Sequence, residues 1–308
     1  MVVFAGQGDA RRSLSLLWRA EVAAPPRGGP GPKPRLSVDA IVAAAVAVAD
    51  EEGMAALSMR AVGERLGRTA MALYTHVPRK SELLDLMYDA VHAELPTAYP
   101  ESDDWRAPLT AWAGELLEFF VRHPWVLQVS QARPVLGPHE YANLDTLVRL
   151  LGATGLPART VRRLVGTLFP LVRGSARAVA DARRAATATG SSDEEWWAAR
   201  SAALTELVPD FAERFPAVIG LERDGAPEPY PGGGEGAGPN GDEGADPSSG
   251  EGAGPNGDEG ADPSSGEGAG PGQDVMPFPE REARETFRVG LGVLLDGIDA
   301  AVAAQGNA

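Results

Sequence analysis

Between residues 58 and 80 the chain places helix-starting and helix-stopping residues at spacings that admit two short helices around one tight turn. Ser58 is positioned to cap a first helix with Val62 and Leu66 on one face, four residues apart, and Gly67 supplies the left-handed residue that ends it. Thr69 is positioned to cap a second helix whose inward side is Met71 or Ala72 with Leu73 and Val77. Pro78 closes that helix, because proline cannot continue the backbone ladder. Its outward side shows Ala70, Tyr74, Thr75 and His76.

Upstream, Ser37 precedes Ile41, Ala44, Ala45, Val48 and Ala49, an apolar stripe of helical period that Gly53 stops. Downstream, Leu83, Leu84, Leu86, Met87, Ala90 and Val91 form another apolar face on a helix beginning between Arg79 and Ser81. Three helices thus close around the turn and a fourth leads away. This is the layout of a helix-turn-helix, which places its second helix in the major groove of DNA. An ordinary helical hairpin shares the local pattern, so the flanking helices carry the distinction. The candidate DNA-binding residues are Arg60, Thr69, Ala70, Met71, Tyr74, Thr75, His76 and Lys80. Small residues at the helix start admit close approach, Arg60, Tyr74 and Lys80 suit phosphates, and Thr75 and His76 reach bases or backbone.

The string Ile41 to Ala49, Gly53-Met54-Ala55-Ala56-Leu57-Ser58-Met59-Arg60, Leu66-Gly67, Leu73-Tyr74-Thr75-His76-Val77, and Lys80 with Leu83-Leu84 resembles the TetR family of bacterial transcriptional regulators. The resemblance implies an all-α protein: an N-terminal three-helix helix-turn-helix domain and a C-terminal helical bundle that binds a ligand and dimerises. It further implies a homodimer on a palindromic double-stranded DNA operator, released by a small-molecule effector of unknown identity. Repression is the expected outcome, with activation or ligand-independent DNA binding as alternatives.

A net charge of −15 looks hostile to DNA, yet residues 232 to 274 hold ten acidic groups and no basic one. Residues 1 to 80 carry eleven Lys or Arg against seven Asp or Glu. Phosphate contact depends on the local field within a Debye length of about 8–10 Å, so the overall charge is no objection.

The acidic stretch is an internal repeat: Gly234 to Ser249 recurs unchanged from Gly250 to Ser265 and restarts at Gly266 to Pro271. It has no side chain able to offset chain entropy by burial, and disorder is expected. Residues 1–35, with the Pro/Gly-rich basic tract 25–35, read as a disordered tail, or as an arm along the DNA backbone or minor groove. Leu14, Leu16, Leu17 and Trp18 form an apolar patch within it, with no evident docking place. The remaining boundaries are 36–96 for the DNA-binding domain, 97–223 for the regulatory domain, 224–276 for the insert and 277–308 for a final helix.

Helical periodicity runs through the regulatory domain, with breaks at Pro124, Pro138, Gly152 to Pro157, Gly190 and Pro209. Its aromatics suggest a core and, in part, a ligand pocket drawn from Trp112, Phe119, Phe169 and Trp196. The segment Val161 to Ala186 and the final helix resemble the family's dimerisation helices, with Leu291, Leu294, Leu295 and Ile298 as the expected interface. The regulatory domain also resembles the subgroup named for the tetracycline repressor, though no metal-chelating drug-binding set is matched.

Cysteine is absent, which removes disulfides and thiolate metal sites. No apolar segment reaches transmembrane length, and Met1 to Ala10 lack a signal peptide's regions, so a cytoplasmic protein with no membrane partner is expected. His123 and His139 lie beside prolines near helix ends, where capping or surface roles are expected. A helical enzyme is the remote alternative. Nucleophile-elbow, phosphate-loop and zinc-protease motifs are missing, so no catalytic residue, cofactor or metal is expected.

Overall fold

The computed structural model describes residues 3–19, 36–100, 104–224 and 278–306. The acidic repeat lies outside the described residues, as does the tract 20–35. Short strands β1 (Val3–Phe4) and β2 (Val129–Ser130) pair in parallel, and the other elements among the described residues are helices. The first helices are α1 (Ala10–Leu17), α2 (Val38–Glu52), α3 (Met59–Arg65), α4 (Ala70–Tyr74) and α5 (Lys80–His92). Then come α6 (Arg106–Arg122), α7 (Pro138–Gly152), α8 (Ala158–Thr189), α9 (Asp193–Leu207), α10 (Phe211–Arg214), α11 (Pro216–Asp224) and α12 (Phe278–Gly306).

The helices around the turn form for the local reasons the residues suggest. Ser37 Oγ accepts from Ala40 N–H at 3.1 Å, Ser58 Oγ from Ala61 N–H at 3.1 Å, and Thr69 Oγ1 from Ala72 N–H at 3.4 Å. Gly67 sits at φ 62°, as a left-handed stop requires. Gly63 has a separate role, because a Cβ there would stand 2.7 Å from the Arg68 carbonyl oxygen. That close approach is what folds α4 back on α3. Helix α4 ends at Tyr74, short of Pro78.

Helix α5 departs from a simple amphipathic pattern. Leu83, Leu84, Met87 and Val91 are buried, but so are Glu82, Asp85 and Asp89. The expected tail explains the first part of this. Residues 3–19 are not a tail: they pack along α5, Gly6 N–H donates to Asp85 Oδ1 at 2.8 Å, and Ala5 and Leu17 join the core. The apolar patch finds its docking place there, with Trp18 Nε1 donating to the Leu136 carbonyl at 3.0 Å. Asp89 serves α7 instead, accepting from His139 N–H at 3.0 Å and Glu140 N–H at 2.9 Å at that helix's N-terminus.

The described residues divide into two compact units, the first running to Asp193 and including α12, the second beginning at Glu194 and holding α10 and α11 with nearly all of α9. In the first, α6 and α12 both pack along α8, and α7 joins α5 and α8. Ion pairs of Arg106 with Asp296 and Asp299, Arg183 with Glu280, and Arg284 with Glu118 tie α12 to its neighbours. The segment 97–223, taken from the sequence as one domain, thus contains the bundle helices α6–α8 and nearly all the described residues of the second unit. In that second unit α9 buries no residue, and Trp196 meets Trp197 edge-on at 5.0 Å.

Candidate functional site

The outward surface of α3, α4 and the start of α5 carries the residues expected to meet DNA. Arg60, Thr69, Tyr74, Thr75 and Lys80 are exposed, and Ala70 and His76 half-buried. Met71 is 74% exposed, which corrects the alternative that placed it inward with Leu73 and Val77. A five-residue helix anchored through Leu73 has room for little else inside, and Ala72 takes the flank, half-buried. Arg60 Nε donates to Glu64 at 2.8 Å within α3, and Lys80 Nζ to the Leu57 carbonyl at 2.5 Å. The Lys80 hydrogen bond fixes its ammonium at the junction of α3 and α5 with two donors to spare. Thr75 Oγ1 donates to the Ala72 carbonyl at 2.6 Å, which leaves its oxygen free as an acceptor.

Behind this surface, α5 runs to a cavity of about 410 Å3. Tyr88 and His92 of α5, Phe120 of α6, Asn143 of α7 and Phe169 of α8 line it, beside the loop 131–136. Of the four residues expected to form a pocket, Phe169 lines this cavity. Trp112 and Phe119 are buried behind the lining: Trp112 packs edge-on to Phe169 at 5.4 Å and donates Nε1–H to Asn143 Oδ1 at 3.0 Å, and Phe119 meets His92 at 4.9 Å. Trp196 belongs to the second unit, is exposed, and is not a lining residue.

His92 was not anticipated. Burial pushes its pKa down to about 4, so the imidazole is neutral at pH 7. Its Nδ1 lies 2.6 Å from the Tyr88 carbonyl and must be the protonated nitrogen, leaving Nε2 as an acceptor. Glu140 is half-buried at the cavity and accepts from Leu136 N–H at 2.7 Å. Burial, with the nearby Asp89 charge, holds its carboxyl above the usual range.

Residues 41–87 match the family described as bacterial regulatory proteins, tetR family, and residues 96–224 match the tetracyclin repressor-like C-terminal domain. The chain is 39% identical over 222 residues to the HTH-type transcriptional repressor DrrR1 of Streptomyces coeruleorubidus, covering 71% of this chain and 79% of that protein. It belongs to the TetR family. It is a DNA-binding transcriptional regulator. An HTH-type transcriptional regulator of Saccharopolyspora erythraea is 35% identical over 146 residues, 47% of this chain and 62% of that protein. Among solved structures, the Streptomyces coelicolor TetR family protein ActR in complex with actinorhodin superposes with a TM-score of 0.52 at 26% identity, covering 61% of this chain and 85% of that one.

In this TetR-family chain the DNA-binding helices meet the bundle through a polar joint. His123 caps the end of α6 as expected, its N–H donating to the Phe119 carbonyl at 2.9 Å, but its side chain is buried and not at the surface: its Nδ1 lies 2.9 Å from Asp50 Oδ1 of α2 and its Nε2 3.2 Å from Glu94. Trp125 Nε1 donates to the same Asp50 oxygen at 2.8 Å. Burial disfavours the imidazolium, but the hydrogen bonds and charges of the two carboxylates outweigh it and hold the His123 pKa above its ordinary value. Asp50 begins an acidic run at the C-terminal end of α2, where the helix dipole disfavours negative charge. That run was the readable signal that partners had to arrive from elsewhere.

The final helix also differs from expectation. Leu291, Leu295 and Ile298 are buried within their own chain, because α12 turns this face to α8 and α6. Leu294 is half-buried and Val293 is 68% exposed. With Gly290 and Gly297, and with Leu164 and Leu171 of α8, they line an open groove of about 510 Å3 whose surface is almost wholly apolar.

Proposed function

We propose that the chain is a repressor that binds a palindromic operator as a homodimer and leaves it when a small organic molecule occupies the α5–α8 cavity. The observation that carries this reading is the course of α5. One helix starts at Lys80 beside the DNA-facing surface and ends at His92 in the cavity wall. A molecule filling the cavity therefore pushes on the element that sets the attitude of α4. The similarity to a named repressor supports the sign of regulation, and ActR, solved with actinorhodin, supports a small-molecule effector. The apolar groove along α8 and α12 supports pairing of two chains, since such a strip is costly to leave in water. Two helix-turn-helix units about 34–36 Å apart read a palindrome across one duplex turn.

A switch from mostly bound to mostly free requires about 10⁴-fold preference of the effector for the incompetent state. Selection from random duplexes tests the reading: it predicts enrichment of a two-fold symmetric site that takes up two chains, measured by sedimentation of the complex. Enrichment of an asymmetric site bound by one chain would contradict it.

A further inference from the structure

The cavity offers donors as well as acceptors, among them the Gln131 and Asn143 amides and the Tyr88 and Tyr141 hydroxyls, but its one charged lining group is an acid. Asn143 Oδ1 is already taken by Trp112 Nε1–H. His92 contributes an acceptor, because its Nδ1–H is engaged by the Tyr88 carbonyl. Glu140 is the one Asp, Glu, Lys or Arg among the described lining residues, and its carboxylate is held in place by the Leu136 N–H. A carboxylate so placed retains lone pairs for a further donor. Arg173 stands behind the lining: its Nη2 donates to the Leu127 and Val129 carbonyls at 2.6 Å each and its guanidinium lies over the Phe120 ring at 5.7 Å, while its buried Nη1 has no hydrogen-bond partner among the described residues.

The remaining lining is rich in rings, with Tyr88, Phe120, Tyr141 and Phe169 contributing aromatic surface. Aromatic faces attract cations, and flat apolar ligands pack well against them. From this juxtaposition we infer that the effector is a planar aromatic molecule bearing a protonated amine, its rings against Tyr88, Phe120, Tyr141 and Phe169 and its ammonium paired with Glu140. No lysine or arginine is among the described lining residues beside Glu140, and burial with the Asp89 charge holds its carboxyl above the usual range. This inference rests on the reading of the cavity as the effector site.

The test uses two fluorescent probes of similar size and opposite charge, 9-aminoacridine and anthracene-9-carboxylate, titrated into the full-length protein without DNA. The cation is expected to bind and the anion to bind about tenfold to hundredfold more weakly, the range of a charge-assisted hydrogen bond. In Glu140→Gln the preference for the cation should vanish. The wild-type comparison stands even if that variant folds poorly. Gly166 lines the cavity and a Cβ there meets nothing within 4 Å, so Gly166→Trp fills the space without disturbing the helix and should block the cation. Equal or tighter binding of the anion, or a cation preference that survives in Glu140→Gln, overturns the charge assignment and leaves the cavity reading standing. Undiminished cation binding to Gly166→Trp, or no binding of either probe to the wild type, overturns the inference at the level of the cavity itself.

Discussion

Glutamate at position 293 separates the two roles open to α12, inner core and outer interface. Val293 is 68% exposed in the single chain, so Val293→Glu should change monomer stability by no more than about 0.5 kcal/mol. If a second copy covers the groove, the same change buries one unpaired carboxylate per chain. At about 3 kcal/mol each, the low end of the penalty for an uncompensated buried ion, two such charges cost about 6 kcal/mol per dimer. The dimer dissociation constant then rises roughly ten-thousand-fold, far beyond micromolar protein. Leu295→Glu is the contrast: its side chain is 2% exposed and faces the core of its own chain, so it should cost about 4 kcal/mol or more and unfold the bundle. Sedimentation velocity with circular dichroism distinguishes the outcomes. Val293→Glu should be a folded monomer that loses palindromic DNA far more than nonspecific DNA. A folded Val293→Glu dimer of unchanged affinity would refute the assignment of this groove.

Two further outcomes concern the frame that holds the site. Burial, opposed by the Gly6 N–H and reinforced by the Glu82 charge, raises the Asp85 pKa from 3.8 to about 6, so the folded chain binds this proton more tightly than the unfolded one. Its contribution is present below pH 3.8 and is lost as pH rises through about 6, a fall of at most about 3 kcal/mol. Asp85→Asn should remove that part of the pH dependence in urea unfolding while keeping an acceptor for Gly6, and an unchanged slope would count against a buried, titrating Asp85. Trp112→Ala removes a buried side chain and strands Asn143, and should cost about 3–5 kcal/mol, or about 10 °C in thermal midpoint. A destabilisation under about 1 kcal/mol would mean that the wall behind Phe169 repacks to fill the space.

Local signals were legible where chain-local chemistry decides the outcome. Ser37, Ser58 and Thr69 cap the helices they precede, and Gly67 takes the left-handed turn, because caps and stops depend on neighbours a few residues away. Contacts across large separations were not legible. Residues 3–19 lack a long periodic pattern, so their docking on α5 could not be read, although acidic residues at 82, 85 and 89 on an otherwise apolar helix hinted that something polar covers it. His92 carried no sequence signal of its own, and its neutral state follows only from burial against Phe119 and Tyr88. Leu291, Leu295 and Ile298 were legible as apolar, but periodicity alone does not tell a core stripe from an interface stripe on a helix with both. Trp196 was included in the pocket for its ring, and its place in the separate unit is a property of the tertiary fold.

The reading of DNA by α4 is best tested by measuring affinity against both base sequence and salt for single substitutions in one selected operator. Thr75→Ala, His76→Ala and Met71→Ala should each change preference at particular base pairs by about 1–3 kcal/mol while leaving the salt slope unchanged. Arg60→Ala and Lys80→Ala should weaken all duplexes alike and lower the slope of log affinity against log salt by about 1 for each phosphate that the protein no longer neutralises. Equal weakening on every duplex for all five substitutions would contradict base reading by this helix.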